Sequence, residues 1–212
     1  MAPLLNADKE SIVLDLSRAR GRRQLTSLLA SADIVVEGSR PRALKQLGID
    51  AEKLVQTVPG LTWVSITGYG RAEPMGNWVA FGDDASVAAG LALATVQDGN
   101  PPVFCGDAIA DPLTGLHAAL AALAFHRGGQ SSLLDLSLKN VTAHTLFQEN
   151  FAAEQRGDTG EGEVLKNRGR WEVRWGSQSA PVLPPHARKP HGQARELGAD
   201  TEDVLEEFEI SC

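Results

Sequence analysis

The sequence predicts an α/β fold with a doubly wound, Rossmann-like parallel sheet, followed by an irregular C-terminal tail. Two observations lead to this class. Short apolar runs typical of buried strands recur along the first 140 residues, and stretches with helical periodicity lie between them. Strands that alternate with helices at this spacing favour a parallel sheet covered by helices on both faces.

The first part of the chain contains three of these strand-like runs. They are residues 11–16 (SIVLDL), 33–37 (DIVVE) and 61–67 (LTWVSIT). Helical stretches separate them: one ends near residue 31, one runs from Pro41 to near Gly48, and one covers about 50–57. This segment therefore predicts three parallel strands with intervening helices.

The second part predicts two longer helices and one further strand. The helices cover about 84–96 and 111–126, and the strand covers 132–138. The second helix is indicated by leucines at helical spacing: Leu113, Leu116, Leu120 and Leu123. A turn signal at 98–102 separates the two helices. From about residue 150 to 195 apolar periodicity fades and we expect a loop or tail. A short helix with Thr201 as its N-cap then follows.

Composition and charge exclude several classes of function. The chain is 42% hydrophobic and 22% charged, with a formal net charge of −7 and no basic stripe, so we expect a folded protein that does not bind nucleic acid. Residues 1–10 do not resemble a secretory signal, and no apolar run approaches a membrane span, so we expect a cytoplasmic protein without membrane contact. Cys105 and Cys212 are too few for a disulfide framework, and no Cys/His cluster has zinc spacing, so we expect no metal.

Asp111 is the first candidate for a catalytic residue. An Asp followed by Pro112 is a preferred way to begin a helix, and on local grounds a simple N-cap is the more common explanation. The two roles are compatible. A carboxylate at the positive end of a long helix is held ionised by the helix dipole, and an acyl-transfer nucleophile would be useful there.

Several segments, in order along the chain, share their pattern with one known family. Around Asp111 the sequence reads GDAIADPLTGLH, with Gly115 four residues after the Asp. The other matching segments are 9–16, 32–37, 40–48, 65–70, 129–138 and 197–205. Together they resemble the family III CoA-transferases of the CaiB/BaiF type, the group of formyl-CoA transferase, carnitine CoA-transferase and α-methylacyl-CoA racemase.

The resemblance implies a function and a set of site residues. Asp111 matches the family's catalytic carboxylate, which moves CoA between an acyl-CoA and a carboxylic acid through an aspartyl-CoA thioester. CoA is then a substrate and not a tightly bound cofactor. The matched positions of the CoA pocket are Gly38, Ser39, Leu47, Phe81 and Leu138. A basic residue that some members carry aligns with Gln46, and Arg40, Arg42 or Lys45 could replace it or could be solvated helix charges.

Two other functions remain open at this point. The chain could be a catalytically inactive CoA-binding or partner subunit of a hetero-oligomer. It could also be an acyl-CoA racemase, but the family's racemases carry a His-Asp pair where this chain has 81–85 (FGDDA), so racemisation is disfavoured. Asp84 there resembles the acidic residue of the transferases or caps the next helix. We expect the glycine turns at 68–70 and 128–129 either to supply backbone N–H donors for an oxyanion or to be ordinary turns between a strand and a helix.

The resemblance also predicts the domain organisation. Residues 1–148 would form the Rossmann-like domain without the family's first strand-helix unit, 149–195 a linker or a remnant of the second domain, and 196–212 a C-terminal helix. An unpaired sheet edge and apolar surface would then need a cover. We therefore expect a homodimer, or a hetero-oligomer with a related chain.

Overall fold

The computed structural model describes residues 2–96, 101–155, 162–184 and 186–211. The chain divides into two compact units. The larger unit comprises residues 11–146 and 197–212, and the smaller unit comprises 1–10 and 147–196. The larger unit contains the parallel sheet and Asp111.

A three-stranded parallel sheet forms the centre of the larger unit. Its strands are β1 (Ile34–Glu37), β2 (Thr62–Thr67) and β3 (Ser132–Ser137), in the order β1-β2-β3. Trp63 of β2 lies opposite both Val35 and Leu133, so β2 is the middle strand. The prediction of parallel strands at 33–37, 61–67 and 132–138 is confirmed.

Eight α-helices lie in the described ranges. They are α1 (Ala2–Asn6), α2 (Ala19–Ser31), α3 (Pro41–Gln46), α4 (Ala51–Thr57), α5 (Gly82–Ala88), α6 (Ala110–Arg127), α7 (Leu138–Gln155) and α8 (Thr201–Glu207). Pro41 occupies the start of α3, where its missing N–H is not needed. Asp50 caps α4, because its side chain accepts a hydrogen bond from the Lys53 N–H at 3.1 Å. No helix in these ranges combines the length and apolar character needed to cross a bilayer.

Helices cover both faces of the parallel sheet, as the doubly wound class requires. Trp63 and Val64 are adjacent on β2 and point to opposite faces. Trp63 packs in a core with leucines of α2, α3 and α4, including Leu25, Leu44 and Leu54. Val64 packs in a second core with Ala118 and Ala122 of α6. The predicted fold class is therefore confirmed.

The leucines whose spacing predicts α6 do not form its buried face. Small residues face the sheet instead: Ala110, Thr114, Ala118 and Ala122 are buried. Leu116 and Leu120 are 71% and 70% exposed. Side chains of this size let the helix backbone approach the sheet closely, and the leucines point the other way. The sequence identifies the helix but not the face that packs.

Residues 11–16 are not a strand, contrary to the sequence prediction. Their backbone groups bond to the start of α8 and not to a neighbouring strand. The N–H of Ser11 donates to Asp200 Oδ2, and the N–H of Val13 donates to Thr201 Oγ1, both at 2.9 Å. The backbone N–H of Asp200 donates to Ser11 O at 3.0 Å. Asp200 is also the N-cap position of α8, so Thr201 is the first helical residue and not the cap.

The helix predicted at 84–96 is shorter than expected. It occupies Gly82–Ala88, and Gly90 follows with a φ of 91°, a left-handed conformation that ends the helix. A short 3₁₀ turn covers Leu93–Thr95. Residues 98–100 of the predicted turn lie outside the described residues.

The smaller unit contains an antiparallel sheet where the sequence predicts a loop or tail. Its strands are β4 (Glu163–Asn167), β5 (Arg170–Trp175) and β6 (Gln178–Pro181), in sequence order. Arg168 and Gly169 join β4 to β5, both with positive φ, as in a type I′ hairpin turn. The strands carry mostly polar residues on exposed faces, so they lack the apolar pattern on which the sequence prediction relied.

Candidate active site

A cavity of about 280 Å³ lies in the larger unit at the carboxyl ends of β1 and β2. The segments that line it follow the strands directly or belong to neighbouring loops. They are Gly38–Pro41 after β1, Ile66–Gly68 at the end of β2, Gly76, Trp78–Ala80, Asp111 at the start of α6 and Leu138 at the start of α7. In open α/β sheets ligands bind at this edge, because the connections there form crevices above the strands.

Asp111 is the second residue of α6 and not its N-cap. The helix begins at Ala110 with Ile109 in the cap position, and the Asp111 N–H donates to Ala108 O at 2.9 Å. The side chain is accessible to solvent and faces the cavity. The first turn of an 18-residue helix still favours a negative charge there.

The surroundings of Asp111 nevertheless disfavour its ionised form. Partial burial raises the pKa of the Asp111 carboxyl, and the negative charge of Asp83 raises it further. The expectation that the helix end holds this carboxylate ionised is therefore incomplete, because burial and the Asp83 charge act in the opposite direction. A more basic carboxylate is also a better nucleophile.

Four of the predicted site residues come together in this cavity, and two do not. Gly38, Ser39 and Leu138 line it with Asp111. Phe81 directly follows the lining residue Ala80, but its side chain is 72% exposed and does not line the cavity. Leu47 packs beside the core around Trp63 and lines a separate surface cleft with Gly48 and residues of α2.

Only one of the three candidate cations lines the cavity. Arg40 lines it, whereas Arg42 and Lys45 do not. Lys45 lies 3.8 Å from Glu52, and the Lys45 side chain is 55% exposed. Of the three basic residues that could replace the one aligned with Gln46, Arg40 is therefore positioned to contact a ligand.

A buried ionic network supports the loop after β1. Glu37 is 7% exposed, accepts a hydrogen bond from Trp63 Nε1 at 3.0 Å and one from Ser39 Oγ at 2.5 Å. Its carboxylate lies 3.7 Å from the guanidinium of Arg71, which also donates to Ser65 Oγ and to Glu52 Oε1 at 2.9 and 2.8 Å. We call these residues the Glu37–Arg71 network. Ser39 connects it to the cavity wall.

Sequence reasoning missed this network and the aromatic wall of the cavity. Trp78 lines the cavity and stacks edge-on against Tyr69, with ring centroids 5.7 Å apart. Both lie in the stretch after β2, where glycine and proline obscure any periodicity. The available signal in the sequence was an acidic residue, Glu37, at the end of an apolar strand. An acidic side chain buried in this way needs a paired cation.

The two acidic residues at the start of α5 have different roles. Asp84 Oδ2 accepts a hydrogen bond from the Phe81 N–H at 3.2 Å, so it caps the helix. Asp83 Oδ1 accepts one from the Ala108 N–H at 3.0 Å and reaches the turn before Asp111. No histidine lines the cavity among the described residues. His117 instead bonds through Nδ1 to Leu113 O at 2.8 Å.

The two glycine turns lie at opposite ends of α6. Gly68 lines the cavity near the Asp111 end. Gly128 and Gly129 close the far end, where their N–H groups donate to Ala124 O and His126 O. An 18-residue helix is about 27 Å long, so the second turn is too distant to supply oxyanion donors to Asp111.

Comparison with known proteins identifies the family. The model of CoA-transferase family III matches residues 1–178. An acyl-CoA transferase of Fusarium pseudograminearum is 29% identical over 203 residues, which are 94% of this chain and 42% of that protein. The formyl-CoA:oxalate CoA-transferase of Escherichia coli is 33% identical over 159 residues, 73% of this chain and 38% of that protein.

The fold agrees with solved structures of the same group. A CAIB/BAIF family protein from Brucella suis superposes with a TM-score of 0.65 at 24% identity, covering 79% of this chain and 48% of that one. The chain spans less than half the length of the curated relatives named above. With the family model matched over most of its length, this chain belongs to CoA-transferase family III.

Proposed function

We propose that this protein transfers CoA between carboxylic acids and that Asp111 carries the CoA as an aspartyl thioester. The observation that supports this most is the position of Asp111. It lies in the first turn of α6 and faces a cavity shared with Gly38, Ser39 and Leu138, the positions that the family resemblance associates with CoA. The raised pKa of Asp111 makes its ionised carboxylate more basic and therefore a stronger nucleophile.

In the first half of the reaction, Asp111 takes CoA from the donor. A carboxylate oxygen attacks the thioester carbonyl, the C–S bond breaks, and CoA thiolate leaves with the electron pair, which gives a mixed anhydride. The thiolate then attacks the aspartyl carbonyl, the anhydride C–O bond breaks, and the donor acid leaves as a carboxylate. Asp111 now holds CoA as a thioester.

In the second half, the acceptor carboxylate attacks the aspartyl thioester and releases thiolate again. The thiolate attacks the acceptor's carbonyl in the new anhydride and regenerates the Asp111 carboxylate. No proton is gained or lost over the cycle, so a general acid or base is not required. The developing oxyanions need N–H donors. Gly68, in the cavity wall, is the candidate segment to supply one.

We further propose small dicarboxylic acids as the substrates. Relatives named succinyl-CoA--D-citramalate CoA-transferase, from Chloroflexus aurantiacus, and succinyl-CoA:glutarate CoA-transferase, from Mus musculus, are 32% and 28% identical to this chain. Arg40 in the cavity wall provides a guanidinium for a second carboxylate or for a CoA phosphate.

Direct transfer assays test this function. We expect the purified protein, with succinyl-CoA and glutarate, to form glutaryl-CoA and succinate in equal amounts. Butyrate should be a poorer acceptor, because it offers no second carboxylate to Arg40. Mass spectrometry of the CoA esters measures both products. Absence of transfer with every acyl-CoA, or hydrolysis without transfer, would contradict the proposal.

We also propose that the protein works as an assembly with a second copy or a related chain. Leu116, Leu120 and Leu123 form an exposed stripe along α6. We expect light scattering at micromolar concentration to give a mass well above the 22.6 kDa of one chain. Leu120→Glu should lower that mass. Leu197→Glu, at an exposed leucine of the larger unit outside α6, should not. A monodisperse 22.6 kDa species that binds no hydrophobic dye would refute the assembly.

A further inference from the structure

We propose that Asp83 is a positioning residue for Asp111 and acts by holding the turn at Gly106–Ile109 from α5. The inference rests on the proposed function of Asp111, but it concerns contacts that exist in the protein without substrate. Asp83 lies in the first turn of α5, on a different element from the nucleophile. Its carboxylate reaches across to the segment that leads into α6.

Two hydrogen bonds connect the Asp83 carboxylate to the Asp111 backbone. Asp83 Oδ1 accepts from the Ala108 N–H at 3.0 Å. The carbonyl of the same residue, Ala108 O, accepts from the Asp111 N–H at 2.9 Å. The backbone of Ala108 is therefore hydrogen-bonded to α5 through its N–H and to the first turn of α6 through its carbonyl.

The conformation of Ala108 explains why such a restraint is needed. Its φ is 48°, in the left-handed region that residues with a side chain rarely adopt. A residue keeps this conformation only when its surroundings fix it. The Asp83 hydrogen bond holds the N–H of this strained residue.

The packing between α5 and the turn is too close to permit adjustment. A Cβ on Gly82 would lie 2.5 Å from Ala108 O, a backbone atom that cannot move aside like a flexible side chain. Next to this contact, Ala85 of α5 and Ala110 of α6 are completely buried in one cluster. Gly82 therefore permits the close approach of α5 to the turn at Ala108, and the hydrogen bond from the Ala108 N–H to Asp83 fixes the position of the turn against α5.

The charge of Asp83 acts on the same carboxylate. Two other ionisable groups face Asp111: Asp83 on α5 and Arg40, which lines the same cavity from the loop before α3. Asp107 lies in the turn before α6, is exposed and does not line the cavity. After partial burial, Asp83 is the group that raises the pKa of Asp111. Removing its charge should lower that pKa and move the acidic limb of the activity profile to lower pH.

Two substitutions separate the hydrogen bond from the charge. Asp83→Asn keeps an acceptor for the Ala108 N–H but removes the charge, whereas Asp83→Ala removes both. We expect the Ala108 amide to exchange about tenfold faster in Asp83→Ala and near the native rate in Asp83→Asn. We expect kcat to fall about 100-fold in Asp83→Ala. In both variants the Asp111 carboxyl should titrate at lower pH by carbon NMR.

Asp107→Asn is the matched control, because it removes a negative charge one residue from Ala108 at an exposed position. It should leave the exchange rate of the Ala108 amide unchanged. Native exchange of this amide in Asp83→Ala, or an unshifted Asp111 titration in Asp83→Asn, overturns the proposal. Exchange and titration are read without substrate, so they test Asp83 even if the protein transfers no CoA. An inactive wild type with the expected exchange and titration would refute the proposed function alone.

Discussion

Asp111→Asn should abolish CoA transfer, lowering kcat by at least about a thousandfold, while the fold is retained. The amide cannot form the anhydride or the aspartyl thioester, so no partial reaction remains. The fold should tolerate the change, because the Asp111 side chain is accessible and its ionisation is already disfavoured by partial burial and by Asp83. We expect the melting temperature to stay the same or to rise slightly.

Intact-mass spectrometry gives the sharper measurement of the same change. Incubation of the wild type with succinyl-CoA should add the mass of a covalent CoA ester, and digestion should place it on the peptide that contains Asp111. Asp111→Asn should show no adduct, and Asp107→Asn, four residues earlier on the exposed turn, should show the native amount. Full transfer by folded Asp111→Asn, or an adduct on another residue, would remove Asp111 as the nucleophile.

Most of the parallel sheet could be predicted, because its strands are short apolar runs bounded by turn residues. Residues 34–37, 62–67 and 132–137 form the sheet, and helices α2, α3, α4 and α6 cover its two faces. Residues 11–16 show the same apolar pattern, but their backbone bonds go to side chains at the start of α8, nearly 190 residues away. Periodicity reports how apolar a segment is and not which partner its backbone will find.

Helix α7 and the antiparallel sheet were missed for opposite reasons. In α7, Leu138, Val141 and Thr142 lie at helical spacing and are buried, but the predicted domain boundary between residues 148 and 149 falls inside this helix. In the antiparallel sheet the strand faces are exposed and carry charges, so alternation is weak. The glycines at the two hairpin turns, Gly169 and Gly176, were the signal that sequence analysis could have used.

The candidate site was also predictable from the sequence only in part. Asp111, Gly38, Ser39 and Leu138 were named through the family resemblance, and they line one cavity. Asp83 could not be distinguished from Asp84 by sequence, because only the fold shows which carboxylate faces the Ala108 turn. The Glu37–Arg71 network joins residues separated by as many as 34 positions, and nothing local in the sequence pairs them.

Arg71 anchors that network, and Arg71→Met should lower the free energy of unfolding by about 3–5 kcal/mol. The Arg71 side chain is 10% exposed, and the Glu37 side chain beside it is 6% exposed. Removing the cation leaves a buried carboxylate without its counter-charge. Ser65 also loses a donor to its hydroxyl. Chemical denaturation at pH 7 measures the difference in the free energy of unfolding between wild type and Arg71→Met. Lys45→Met, which removes the exposed partner of Glu52, should change stability by less than about 0.5 kcal/mol.

The pH dependence of this difference provides a second measurement of the same residue. Burial raises the pKa of Glu52, but hydrogen bonds from Arg71 and from the backbone, together with the charge of Arg71, lower it from 4.5 to about 2. A lowered carboxyl pKa stabilises the fold above pH 4.5, and this contribution is lost as the pH falls to about 2. The stability difference between wild type and Arg71→Met should therefore narrow over this range. An Arg71→Met protein within about 1 kcal/mol of wild type at pH 7 would mean that the network contributes little to stability. A difference that stays constant down to pH 2 would mean that Arg71 does not set the ionisation of Glu52.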